Sequence, residues 1–163
     1  MIQSFSHIKM ISILAMFIAL SFVGSMLKLP SPIGTVALDS FPAFVAAILV
    51  SPLAGAIVGF FGHILTSLNV GFPLSIPIHL FIALQMAGVS YVTGYVCRRV
   101  NLVLGLILGT FLNGVIVPAM FIPFEGFGTA FFLLMVLPLT VGSLVNFILS
   151  GFIVKAIKGK INV

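Results

Sequence analysis

Long apolar runs, broken by short clusters of proline, glycine and polar residues, organise this chain. The first run covers about residues 8–27 and stops at Lys28-Leu-Pro-Ser-Pro-Ile-Gly, where two prolines and a glycine cannot continue a helix. Further runs cover about residues 39–50, 52–68, 78–96, 102–121 and 129–156, with Pro118 expected to kink the last turn of the fifth. A helix needs roughly 20 apolar residues to cross the hydrocarbon of a bilayer, and most of these runs come close. The run at 39–50 is short, near the lower limit for crossing, and calls for a tilted or partly spanning helix. The first run is longer than the apolar part of a signal peptide and no small-x-small cleavage site follows it, so it reads as a retained helix.

The pattern predicts an all-α integral membrane protein, a six-helix transmembrane bundle forming a single membrane domain over residues 1–163. Charge selects six spans over five. Joining residues 41–68 into one bent helix would put Arg98 and Arg99 on the opposite side from Lys155, Lys158 and Lys160. With six spans all five lie on one side with Lys9, as the positive-inside rule requires of the cytoplasmic face. Both termini are then cytoplasmic, and Lys28, Asp39 and Glu125 fall outside.

Composition agrees. The chain is 61% hydrophobic and 6% charged, whereas a soluble domain carries roughly a quarter charged residues. The net charge of +5 does not signal nucleic acid, because the cations stand singly or in pairs at the edges of apolar runs. The single Cys97 excludes a disulfide within the chain and, beside Arg98 and Arg99, reads as a reduced residue near the cytoplasm.

A charge at mid-helix costs about 2.5–3.5 kcal/mol on insertion scales, so the few polar residues inside apolar runs are the candidate site. They are Asp39 and Ser40, His63 and Ser67 (four apart, on one helical face), Asn69, His79, Gln85 and Asn113. Nearly all fall toward the outer side in the chosen topology, with Gln85 deeper, which suggests a pocket open to the outside. Each also has a plainer reading. Asp39 and Ser40 could merely cap a helix, His79 could sit at the interface, and His63 or Asn113 could bond between helices. Thr66 shares the region, Asn146 lies nearer the cytoplasmic side in a structural role, and Glu125 reads as a solvated loop charge. There is no HExxH, GxSxG, paired-cysteine or phosphate-loop motif, so no metal, no cofactor and no ATP hydrolysis are expected on this chain.

Small residues four apart form a second pattern: Ala15 and Ala19, Gly55 and Gly59, Gly105 and Gly109. Such spacing lets helix backbones approach closely, and the glycine pairs read as internal packing.

Taken with these features, the chain resembles the substrate-binding S components of energy-coupling factor (ECF) transporters over essentially its whole length. The stretch from Gly34-Thr-Val-Ala-Leu-Asp-Ser-Phe-Pro to Leu-Val-Ser-Pro-Leu-Ala-Gly-Ala, with Gly62-His63 and Gly71-Phe-Pro-Leu-Ser-Ile-Pro-Ile-His79, is similar to the group that takes up cobalamin precursors such as alpha-ribazole. A more distant likeness is to thiamine-precursor members. The resemblance implies a non-enzymatic binding subunit of the bacterial cell membrane that captures a vitamin or precursor at the outer face. It implies a gate over residues 28–40, including Pro30, Pro32 and Gly34, and docking through Ala15 and Ala19 on a transmembrane coupling subunit served by two cytoplasmic ATPases. Partners would then be that module, the small molecule and membrane lipid, without nucleic acid. Other classes stay open: a thiamine- or pyrimidine-type S component, a carrier working alone, a small intramembrane enzyme, or an assembly protein.

Overall fold

The computed structural model describes residues 7–30 and 35–160. Helices α1 (His7–Gly24), α2 (Phe41–Leu49), α3 (Pro52–Val70), α4 (Ile76–Arg99), α5 (Leu102–Phe111), a short α6 (Val117–Ala119) and α7 (Gly128–Lys160) build an all-helical bundle. A π-helical turn, Leu112–Ile116, joins α5 to α6. Among the described residues, five stretches are long and apolar enough to cross a membrane: His7–Gly24, Pro52–Val70, Ile76–Arg99, Leu102–Ala119 and Gly128–Gly159.

The remaining helix of the six is the short one, as expected of a tilted or partly spanning segment. At 9 residues, α2 is about 14 Å long and covers roughly half of a ~30 Å hydrocarbon layer. Ser51 and Pro52 set its end. Ser51 is extended and accepts a bond from the Ala54 N–H at 3.0 Å, while Pro52 occupies the first turn of α3, so a new helix starts at once. Its beginning is set from a distance. Asn146 Oδ1 on α7 accepts from the backbone N–H groups of Ser40 (3.2 Å) and Phe41 (2.9 Å), and its Nδ2 donates to the Ala37 carbonyl at 3.2 Å. Ser40 sits at the N-cap without a side-chain cap bond, so the plainer capping reading of Asp39 and Ser40 gives way to capping by Asn146.

Two three-residue strands, β1 (Lys28–Pro30) and β2 (Thr35–Ala37), pair antiparallel between α1 and α2, a departure from an all-α chain. Proline and β-branched residues disfavour helix here and suit an extended backbone. Of the expected gate, Pro30 lies in β1, whereas Pro32 and Gly34 lie outside the described residues.

Consecutive helices pack antiparallel through small residues. A Cβ on Gly55 would run into Ala47 and the Ala43 carbonyl of α2, one on Gly59 into Ser90 and the Met86 carbonyl of α4. Gly105 abuts Cys97, and Gly109 abuts Phe147 and Thr93. Both glycine pairs are thus internal packing, as their spacing suggested. Phe44 and Phe147 stack at 3.9 Å where α2 meets α7. Gly55→Val is expected to cost about 1–3 kcal/mol by overpacking. Gly88→Ala, with nothing within 4 Å of its added carbon, should be nearly neutral. Thermal unfolding of the two variants in detergent measures the contrast.

Candidate binding site

The short α2 leaves space that the longer helices enclose. Asn146 lies 18 residues into the 33-residue α7, about 27 Å from its start at Gly128 and therefore near the middle of that helix. Below that level α2 fills the bundle. Arg98 on α4 caps its far end by donating to the Ile48 carbonyl at 2.8 Å. Above it, a cavity of about 460 Å³ extends to the α3–α4 turn at Pro73 and Leu74.

The cavity has two chemically different sides. Its floor is Ala37, Asp39 and Ser40, and its polar wall comes from His63, Thr66 and Ser67 of α3 and His79 of α4. These α3 positions follow from helical phase, since residues three and four apart share a face. The imidazoles are linked: His63 Nε2 lies 3.3 Å from His79 Nδ1, and Ser67 Oγ lies 2.9 Å from that same nitrogen. The Ser40 hydroxyl donates to Asp39 Oδ1 at 3.1 Å. Across from them stand Met86 of α4, Val117 and Pro118 of α6, and Phe131 and Met135 of α7. Phe121, 1% exposed, is the hub of a ring cluster with Phe81, Phe124, Phe127 and Phe131 near the cavity's upper end.

Asn113 enters through the π-turn. Pro118 lacks an N–H, and its ring crowds the carbonyl four residues back, that of Gly114. The helix responds with a wider turn upstream of the proline in place of the expected kink in its last turn, and Asn113 lies within it. Gly114 fits closely against Thr140 of α7. Asn113 Nδ2 donates to Ser143 Oγ at 2.9 Å, and both residues line the cavity.

Six of the eight binding residues proposed from sequence therefore meet in one cavity: Asp39, Ser40, His63, Ser67, His79 and Asn113. Two do not. Asn69 is exposed at the end of α3, and Gln85, although buried, turns to the Met120 sulfur, donating to it at 3.3 Å. Sequence reasoning named neither Ser25 nor Ser143, placed Lys28 only in the gate and Thr66 only in the surrounding polar region, and all four line the cavity. Thr66 stands three residues from His63 and Ser143 three from Asn146, so helical spacing carried a signal for both. Asn146 lines the cavity, but all its described bonds go to backbone, the fourth to the Gly142 carbonyl at 2.9 Å, in keeping with its structural role.

The family model described as ECF transporter, substrate-specific component, matches residues 9–158. The chain belongs to this family. A solved S component of a bacterial ECF transporter has the same fold, with a TM-score of 0.58 at 21% identity, over 93% of this chain and 92% of that one. No curated protein matches the sequence. The chain is thus a multi-pass membrane subunit that binds a transporter's substrate, and not an enzyme. In this S component Ala15 and Ala19 are exposed on α1, apart from the cavity, while Leu14, Phe17 and Ile18 pack inward.

Proposed function

We propose that this S component captures a vitamin precursor with a flat heteroaromatic ring and a hydroxyl-bearing part, best matched by alpha-ribazole or a related cobamide precursor. It passes the ligand inward with an ATP-driven coupling module. The observation that carries this reading is the two-sided cavity: aromatic and aliphatic groups face a wall of imidazoles, hydroxyls and one carboxyl. Its volume of about 460 Å³ falls in the ~300–1,000 Å³ range of small-molecule sites. A ring would lie against Phe121, Phe131 and Met135, and sugar hydroxyls would bond to Asp39 and Asn113.

In this reading the cavity end of the bundle faces outward. The end carrying Lys9, Arg98, Arg99, Lys155 and Lys158 is cytoplasmic, with both termini. The hairpin region of residues 28–40 gates the site. A coupling subunit docks on Ala15 and Ala19, and two ATPases on separate chains supply the energy.

Titration calorimetry of the purified protein with alpha-ribazole tests the substrate. Asp39→Ala, His63→Ala and His79→Ala are each expected to weaken binding by about tenfold or more, since each leaves a ligand group or a cavity partner unpaired. Unchanged binding in all three would place the site elsewhere. Saturable binding of thiamine, with none of alpha-ribazole, would replace the ligand but keep the cavity.

A further inference from the structure

The two imidazoles in the cavity wall permit an atom-by-atom account of their protons. The Leu74 backbone N–H points at His79 Nε2, 3.5 Å away, so that nitrogen holds the lone pair and the proton of His79 is on Nδ1. The Ser67 hydroxyl donates to the His63 carbonyl at 2.8 Å. Its oxygen is then free to accept from His79 Nδ1–H at 2.9 Å. His63 Nε2 stands 3.3 Å from that same N–H. Two protons cannot share this gap, so His63 Nε2 is the acceptor, and neutral His63 carries its proton on Nδ1.

His63 Nδ1 has no hydrogen-bond partner among the described residues, yet it is not one of the sealed polar atoms left without one. His63 is one of the residues that line the cavity. On the far side the polarity is opposite. Asn113 spends an N–H on Ser143, whose own hydroxyl donates to the Leu139 carbonyl, so the Asn113 amide oxygen remains to accept. The Asp39 carboxyl is a second acceptor in the same space.

We infer that His63 Nδ1–H reads a hydrogen-bond acceptor on the ligand, an unprotonated ring nitrogen or a carbonyl oxygen, and rejects ligands that carry a proton or positive charge at that point. One donor set against two acceptors then fixes which way a ring bearing hydroxyls enters. This rests on the vitamin-precursor reading above and makes His63 its specificity residue, with Leu74, Ser67 and His79 positioning its proton.

The probes are N-ribosylbenzimidazole and N-ribosylindole, alike except that a C–H replaces the bare ring nitrogen. Calorimetry on the full chain in detergent should show the parent preferring the benzimidazole by about tenfold or more. His63→Leu should bring the ratio close to one. His63→Asn, whose amide N–H falls near the place of Nδ1, should restore part of the preference. Equal and tight binding of both probes by the parent overturns the inference and leaves the vitamin-precursor reading standing. If neither probe binds, that reading fails, and nitrogen-15 NMR of histidine-labelled protein decides the inference alone. Protons on Nδ1 of both His63 and His79 are expected; a proton on His63 Nε2 overturns it.

Discussion

Ala15→Trp combined with Ala19→Trp is expected to leave ligand binding and thermal stability unchanged while reducing uptake to background. Helix α1 has two faces. Leu14, Phe17 and Ile18 pack on Ala43, Ala46 and Val58, and Ser21 is fully buried against Gly62 of α3. Ala15, Met16, Ala19, Leu20 and Val23 face outward. Lipid alone would be as well served by leucine at Ala15 and Ala19, since methyl groups gain little there. Two alanines on one face instead let another helix approach to backbone contact, where dispersion replaces the missing hydrophobic drive. Indole rings would hold such a helix several ångströms away. Binding by calorimetry and uptake of labelled ligand in cells with the coupling module separate the two effects. Lost binding would show that this face packs internally, and normal uptake would move the docking surface elsewhere.

The second large effect is expected at Asn146, 2% exposed on α7. Asn146→Leu keeps the branched shape but strands the N–H groups of Ser40 and Phe41 and the carbonyl of Ala37. Each buried, unpaired backbone group costs about 1–3 kcal/mol, so a loss of about 3 kcal/mol or more is expected even with partial relaxation. Because these bonds also hold Asp39 in place, ligand affinity should fall by about a hundredfold, although Asn146 has no amide hydrogen left to offer a ligand. Ser150→Ala is the control. Ser150 donates to the carbonyls of Phe41 and Asn146, but carbonyls on helices keep other partners, so a change under about 1 kcal/mol is expected. Melting curves and calorimetry on both variants make the comparison; similar losses would mean that packing, not the amide, anchors the start of α2.

Much of this fold was legible because local signals carried it. Ser51-Pro52, Gly71 in its left-handed conformation at φ +81°, and Asn101, accepting from the N–H groups of Val103 and Leu104, each end or begin a helix with residues that stand in the break itself. The shortness of α2 was legible, but its exact start, two residues later than expected, was not, because it depends on a side chain 105 positions away. The hairpin was missed for a related reason: strands of three residues are too short to show a period.

The site was partly legible. Polar residues inside apolar runs marked it, and six of them converge. The two that do not, Asn69 and Gln85, lie six residues beyond His63 and His79 respectively. At about 100° per residue this puts each of them some 240° around its helix, away from the imidazoles. Depth in the membrane had grouped them with the site, while helical phase separates them from it. Asn113 shows the converse, since its approach to the cavity depends on a π-turn that hydrophobic periodicity does not encode.

The truncated second helix divides labour along the membrane normal. In the lower storey, alanines and glycines interlock so closely that hardly a methyl group can be added. In the upper storey, helix ends surround open volume, although Gly62 and Gly114 still pack closely on Ser21 and Thr140. On the proposed reading, substitutions in the cavity lining can therefore change cargo choice while the layer beneath keeps its packing.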